Sequence, residues 1–146
     1  MPVRRNRCPA TPCARKMKLQ PALKISVVDD DEHVRAATAK LLRLHQFDAY
    51  QFASAEEFLD SAMVPQTDGL VSDIRMTGLG GLELQERLIS CGRRIPVVFI
   101  TAFPDDDVRA RAAELGAVCV LTKPFDGTML VRSLETALAN RGGTPC

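Results

Sequence analysis

The sequence predicts an α/β domain: a doubly wound, five-stranded parallel sheet in the order 2-1-3-4-5, with helices on both faces. Three observations carry this. Five short runs rich in β-branched residues alternate with five segments whose apolar residues recur at helical spacing. The strands are apolar on both sides rather than at alternate positions, as in a parallel sheet covered by crossover helices. The second strand is more polar and suits a sheet edge, and right-handed crossovers leave few other orders.

Lys24–Val28 (KISVV) is the first strand and ends abruptly in acids. Asp31 caps a helix from Glu32, in which Val34, Ala37, Leu41 and Leu42 share one face. Asp48–Phe52 is the second strand. Ser54-Ala-Glu-Glu57 is a capping box, with Phe58, Leu59 and Ala62 following on one face. Gly69–Ser72 is the third strand and runs into Asp73. The glycine-rich loop Gly78-Leu-Gly-Gly81 leads to a helix with Leu84, Leu88 and Ile89 inside. Pro96–Ile100 (PVVFI) is the most apolar strand. Pro104 starts the next helix, with Asp105, Asp106 and Asp107 at its positive end. Val108, Ala112 and Leu115 form its buried stripe, and Gly116 ends it. Val118–Leu121 is the fifth strand. Asp126 caps a last helix that buries Leu130, Leu134, Ala137 and Leu138 and stops near Asn140.

At 146 residues, 46% hydrophobic and 25% charged, the chain has the length and balance of one globular domain. It divides into a basic N-terminal arm over 1–22, a globule over 23–140 and a frayed end over 141–146. Residues 1–24 hold seven basic residues and no acid, whereas the remainder holds 12 basic and 18 acidic residues, a net of −6. A basic arm can serve nucleic acid or an anionic membrane. This one lacks aromatics and a periodic apolar face, so an unstructured tail is expected and direct nucleic-acid binding is not. Globular patterning begins just after Met17, an alternative start. No stretch approaches 18 apolar residues and no secretory h-region precedes a cleavage site, so no membrane association is expected. The five cysteines, at 8, 13, 91, 119 and 146, form no disulfide framework and no zinc pair of pairs. A reducing, cytoplasmic setting follows.

Function is read at the carboxyl ends of the strands, where open α/β sheets bind ligands at the point of reversed strand order. That point lies between strands 1 and 3. It brings together Asp29, Asp30 and Asp73, which are more than 40 residues apart in the chain. Strands 4 and 5 end in Thr101-Ala102 and Thr122-Lys123-Pro124, which adds a hydroxyl and an ammonium. Clustered carboxylates repel unless a cation joins them, and hard oxygen donors suit Mg²⁺. A metal there can neutralise a phosphoryl group while Lys123 and Thr101 hold its oxygens. Asp73, on the central strand, is then placed as the nucleophile that forms an acyl phosphate. Each residue alone reads as a turn, a helix cap or a surface charge. The set is informative because all of it falls at one edge.

The stretches VVDDDE (27–32), VSDIRMTGLGGLEL (71–84), PVVFITAF (96–103) and LTKPF (121–125) resemble a response-regulator receiver domain, the phosphorylated half of two-component signalling. The resemblance spans about residues 23–140 and is strongest to the FixJ-like receivers of nitrogen-fixation regulators. It implies that Asp73 is the phospho-acceptor, that Asp30 binds Mg²⁺ directly and Asp29 mainly through water, and that the Arg75 carbonyl is a further metal ligand. Thr101 becomes the switch hydroxyl, Ala102 the small residue that leaves the phosphate accessible, and Lys123 its cationic partner, with a cis bond to Pro124. It implies a sensor histidine kinase or phosphotransfer protein as donor, an unidentified downstream protein, and a phosphorylation-dependent dimer.

Two positions depart from the family pattern. Thr77 stands where proline is usual, which loosens the loop by removing a fixed φ, with no consequence expected for the chemistry. Val120 stands where an aromatic usually reports phosphorylation to the surface. Two other function classes are weighed. A pseudo-receiver binding module would signal without phosphate, and Val120 is the feature in its favour. A metal-dependent phosphatase would need an acid two residues after its nucleophile, and that residue is Arg75. The FixJ-like resemblance points to a transcription-factor relative, but a helix-turn-helix output module would take roughly 60 further residues.

Overall fold

The computed structural model describes residues 22–140. The arm expected over 1–22, all but Ala22, and the frayed end expected over 141–146 lie outside the described residues. The strands are β1 (Lys24–Val28), β2 (Asp48–Phe52), β3 (Gly69–Asp73), β4 (Val97–Thr101) and β5 (Cys119–Thr122). The helices are α1 (Glu32–Leu44), α2 (Ala55–Leu59), α3 (Gly81–Ser90), α4 (Asp106–Glu114) and α5 (Gly127–Asn140), with a 3-10 turn at Val64–Gln66. All strand pairs are parallel and the order is β2-β1-β3-β4-β5, as the sequence predicts.

Side-chain alternation divides the core into two layers. Val28, Leu70, Val97 and Phe99 point to one face and pack with Ala55, Phe58, Leu84, Leu88 and Ala112 of α2, α3 and α4. Ile25, Val27, Val71, Val98 and Ile100 point to the other and pack with Ala39, Leu42, Leu130 and Leu134 of α1 and α5. β3 and β4 are buried along their whole length, while β2 at the edge exposes Gln51. The central strands therefore carry the apolar load, and their last residues are free to be polar. Pairing of Val28 with Ser72 sets Asp29 beside Asp73 one step further on. Thr101 lies opposite Thr122, next to Lys123.

Several boundaries differ from the sequence reading. Pro104 does not start α4. The Asp105 carboxylate accepts from the Val108 amide at 2.8 Å, so Asp105 is the cap and the helix starts at Asp106. Leu115, expected inside, is the half-buried cap residue that ends α4. α2 spans only five residues and leaves Ala62 exposed. β3, β4 and β5 each reach one residue further than expected, which places Asp73, Thr101 and Thr122 within the ladder.

The entry to α3 is tight. The Gly81 amide donates to the Ile74 carbonyl at 3.0 Å. A Cβ on Gly81 would lie 2.4 Å from the Asp73 carbonyl oxygen and 3.0 Å from Ser72 Oγ. The obstacle is the backbone of the central strand, which cannot yield. Gly81→Ala is therefore expected to cost about 3 kcal/mol. Gly92→Ala, at φ +81 with nothing within 4 Å, should cost about 1 kcal/mol through backbone strain alone. Denaturant melts of the two variants check the order, and equal losses would contradict the packing assigned to Gly81.

Candidate functional site

The carboxyl edge of the sheet gathers the residues expected there. Asp29 follows β1 and is 3% exposed, Asp73 ends β3 at 6%, and Thr101 ends β4 at 0%. Asp30 and Ala102 are exposed, Lys123 is half-buried, and Pro124 follows it across a cis peptide bond. Carboxylate oxygens of Asp29, Asp30 and Asp73 all lie within 4.8 Å of one another. Lys123 Nζ donates to Asp73 Oδ2 at 3.0 Å and reaches Asp29 Oδ2 at 3.5 Å. The Lys123 amide donates to the Thr101 carbonyl at 2.9 Å, which fixes the root of the lysine against the end of β4.

Main-chain amides answer each carboxylate. Asp31 N–H donates to Asp29 Oδ1 at 2.9 Å and Arg75 N–H to Asp73 Oδ1 at 3.3 Å. Thr77 N–H donates to Asp30 Oδ2 at 3.2 Å, so the main chain of Thr77 reaches the site. Arg75 also lays its guanidinium over Phe103, 5.5 Å from the ring centroid. The Phe103 amide donates to Thr101 Oγ1 at 3.1 Å, and its ring is 65% exposed. Val120 is half-buried against the layer of α2, α3 and α4.

Burial pushes the Asp29 carboxyl above the usual carboxylate range. The charge of Asp73 adds to this, and the Asp31 amide and Lys123 do not cancel it. Burial also works against the Lys123 ammonium. Its hydrogen bond to Asp73 and the charges of Asp29 and Asp73 outweigh that and hold it above the ordinary lysine value. The lysine therefore holds its proton more firmly than a free lysine, hydrogen-bonded to two carboxylates and half-buried. Three hard oxygen donors converging from two strand ends fit a small divalent cation such as Mg²⁺.

Sequence reasoning missed two contributors. Thr77 stands out in the sequence only as a departure from the family pattern; its contact with Asp30 is made by the main chain, which residue type does not reveal. Glu56, on α2, accepts from the Leu79 amide at 3.0 Å and so ties down the loop after Asp73. The two residues are 23 apart in sequence, and no local pattern joins them.

A family model described as a response regulator receiver domain matches residues 25–135. The transcriptional regulatory protein TdiR of Thauera aromatica is 35% identical over 115 residues, covering 79% of this chain and 51% of that protein. FixJ of Azorhizobium caulinodans is 34% identical over 117 residues, covering 80% of this chain and 56% of that protein. Among solved structures, the FixJ N-terminal domain superposes with a TM-score of 0.74 at 32% identity, covering 83% of this chain and 97% of that one. The response regulator StyR gives 0.75 at 40% identity, covering 81% and 60%. The chain spans about half the length of the curated relatives it matches.

Asp29 yields a pH test. A carboxyl whose folded pKa is raised binds its proton more tightly in the native state than in the unfolded chain. Its contribution to stability is complete below the ordinary value of 3.8 and is lost as the pH rises through the raised folded value. Asp29→Asn keeps an acceptor for the Asp31 amide and carries no charge. In chelator, the wild-type melting temperature should fall relative to Asp29→Asn as the pH rises from 4 to 7.5, leaving the variant the more stable at neutral pH. Parallel curves would show that Asp29 is not strained by its burial.

Proposed function

Because the chain belongs to the response-regulator receiver family, we propose that it takes a phosphoryl group onto Asp73 from a sensor histidine kinase or phosphotransfer protein and that this alters the binding of a downstream protein. The observation that carries the reading is the Lys123 ammonium 3.0 Å from Asp73 Oδ2, beside three carboxylates whose oxygens lie within 4.8 Å. The receiving unit is assigned to residues 23–140 and its setting to the cytoplasm. No helix among the described residues is long and apolar enough to cross a membrane.

Asp73 Oδ attacks the phosphorus of a phosphohistidine. The O–P bond forms as the P–N bond breaks, and the imidazole leaves with the electron pair and takes up a proton. Asp29, Asp30 and Asp73, with the Arg75 carbonyl, would hold Mg²⁺, which when bound neutralises charge on the transferring phosphoryl group. Lys123, already on Asp73, pairs with a phosphoryl oxygen. Thr101 donates its hydroxyl to another, and Ala102 leaves the approach open. The domain is an acceptor and a signal rather than a turnover enzyme, with release of its own phosphate as its remaining chemistry. A phosphorylation-dependent dimer is one form the altered binding can take.

The pseudo-receiver alternative rests on Val120, which has one short, stiff side chain where the family usually swings a ring. A second aromatic serves instead. Phe103 is tied to Thr101 through its amide and to Arg75 through its ring. A phosphoryl dianion on Asp73 attracts both the Thr101 hydroxyl and the Arg75 guanidinium, which loosens the hold on Phe103.

With Mg²⁺ and acetyl phosphate, intact-mass spectra should show one added phosphoryl group on the wild type and none on Asp73→Asn. An addition that survives Asp73→Asn would overturn the assignment of the acceptor. With beryllofluoride as the phosphate mimic, NMR shifts should concentrate at residues 102–108 more than in β5. Phe103→Ala should blunt the response while still taking the label. Changes confined to β5 and α5 would reject Phe103 as the reporter.

A further inference from the structure

The three acids of the site differ in what holds them. Asp29 and Asp73 are buried, share Lys123, and each accept an amide only two residues further along the chain. Asp30 is exposed and has no share of the lysine. Among the described residues, the donor to its carboxylate is the Thr77 amide, 47 residues away, at 3.2 Å. Repulsion from the two buried carboxylates drives this third, exposed charge outward into water. The Thr77 amide opposes that.

The loop is built to aim this amide. Leu79 N–H, two residues on, donates to Glu56 Oε2 at 3.0 Å. Between the two amides, Gly78 sits at φ +80, and a Cβ there would meet Glu56 Oε2 at 2.8 Å. Glycine accepts this left-handed turn without strain, so the amides on either side of it serve two different carboxylates. The loop after Asp73 is thus strung between Asp30 on the β1 side and Glu56 on α2.

We infer that the Thr77 main-chain N–H is a positioning group for Mg²⁺ binding: it holds the exposed Asp30 carboxylate over the cluster, so that the ion meets three gathered oxygens instead of two. The inference rests on the reading of Asp29, Asp30 and Asp73 as the Mg²⁺ site. Ordering a ligand in advance raises affinity by removing that cost from binding, and the partners of ligating carboxylates commonly govern metal affinity. One solvent-facing amide bond of this kind corresponds to about a three- to tenfold change in Kd. Proline is the one residue type that deletes the donor, since it has no N–H.

The test is titration of the full chain with Mg²⁺ alone, followed by calorimetry and by amide NMR, for wild type, Thr77→Ala, Thr77→Pro and Asp30→Ala. Thr77→Ala keeps the N–H and should bind like wild type. Thr77→Pro should bind about three- to tenfold more weakly. In the metal-free protein, Asp30→Ala should speed hydrogen exchange at the Thr77 amide and leave Leu79, bonded to Glu56, unchanged. That last measurement needs no proline variant and stands even where Thr77→Pro does not fold. Equal or tighter binding by Thr77→Pro, an equal loss in Thr77→Ala, or Thr77 exchange indifferent to Asp30→Ala would each overturn the inference. Failure of the wild type to bind Mg²⁺ at all is a separate result, and would overturn the metal site itself.

Discussion

Three carboxylates crowd the end of this sheet around one ammonium that only two of them share, and much of the rest of the molecule holds that arrangement. Lys123 bonds Asp73 and reaches Asp29, while Asp30 stands outside its reach. The cluster is left with an excess of negative charge in a partly dry place, which no folded protein adopts without compensation elsewhere. Part of that comes from backbone amides at residues 31, 75 and 77, each aimed at a different acid. That excess of negative charge is also what suits the place to a divalent cation.

The scaffold supplies the rest of the compensation through apolar burial. Along β3, Leu70 packs into one layer and Val71 into the other. The strand is therefore sealed on both faces up to the residue before its acid. β4 repeats this with Val97 and Phe99 on one face and Val98 and Ile100 on the other, and then ends in Thr101. The strain of the site is confined to one edge, and the stability to support it lies in the two layers beneath. Gly81 belongs to this division. It lets α3 begin directly against the Asp73 carbonyl, which fixes the acid's backbone from the far side.

On the opposite bank of the site, Thr101, Phe103 and Arg75 make a short chain of contacts from a buried hydroxyl to an exposed ring. Arg75 ties this chain to the acid end of β3 through its main chain, whose N–H donates to Asp73 Oδ1, while its guanidinium rests on the Phe103 face. Cation–π attraction at an exposed site is weak, about 0.5–1 kcal/mol, and a charged competitor readily exceeds it. Val120, with a short side chain packed into the layer below, has no such freedom. The two positions that depart from the family pattern thus have opposite characters. Val120 puts a short, packed side chain where a ring is usual, and Thr77 supplies an amide N–H to Asp30 where proline has none.

Much of this was legible in the residues alone. The two-sided apolar runs and their helical spacers dictate a parallel sheet because burial on both faces has no other periodicity. Handedness then narrows the strand order to a few, of which the polar second strand favours the one with β2 at the edge, and the acids, Thr101 and Lys123 follow from where strands end. The cis bond at Lys123–Pro124 was expected from the resemblance and is present. What the residues did not reveal is everything carried by the main chain or by side chains far apart in sequence. The preference for proline in the first helical turn placed the start of α4 at Pro104, but the Asp105 carboxylate caps the helix and starts it at Asp106. The anchors of the loop after Asp73 come from Glu56 and Asp30, 23 and 47 residues away, through amides that any residue except proline provides. Pattern reads side-chain identity and spacing. Which amide meets which carboxylate is decided only when the sheet twists and the loops close over its edge.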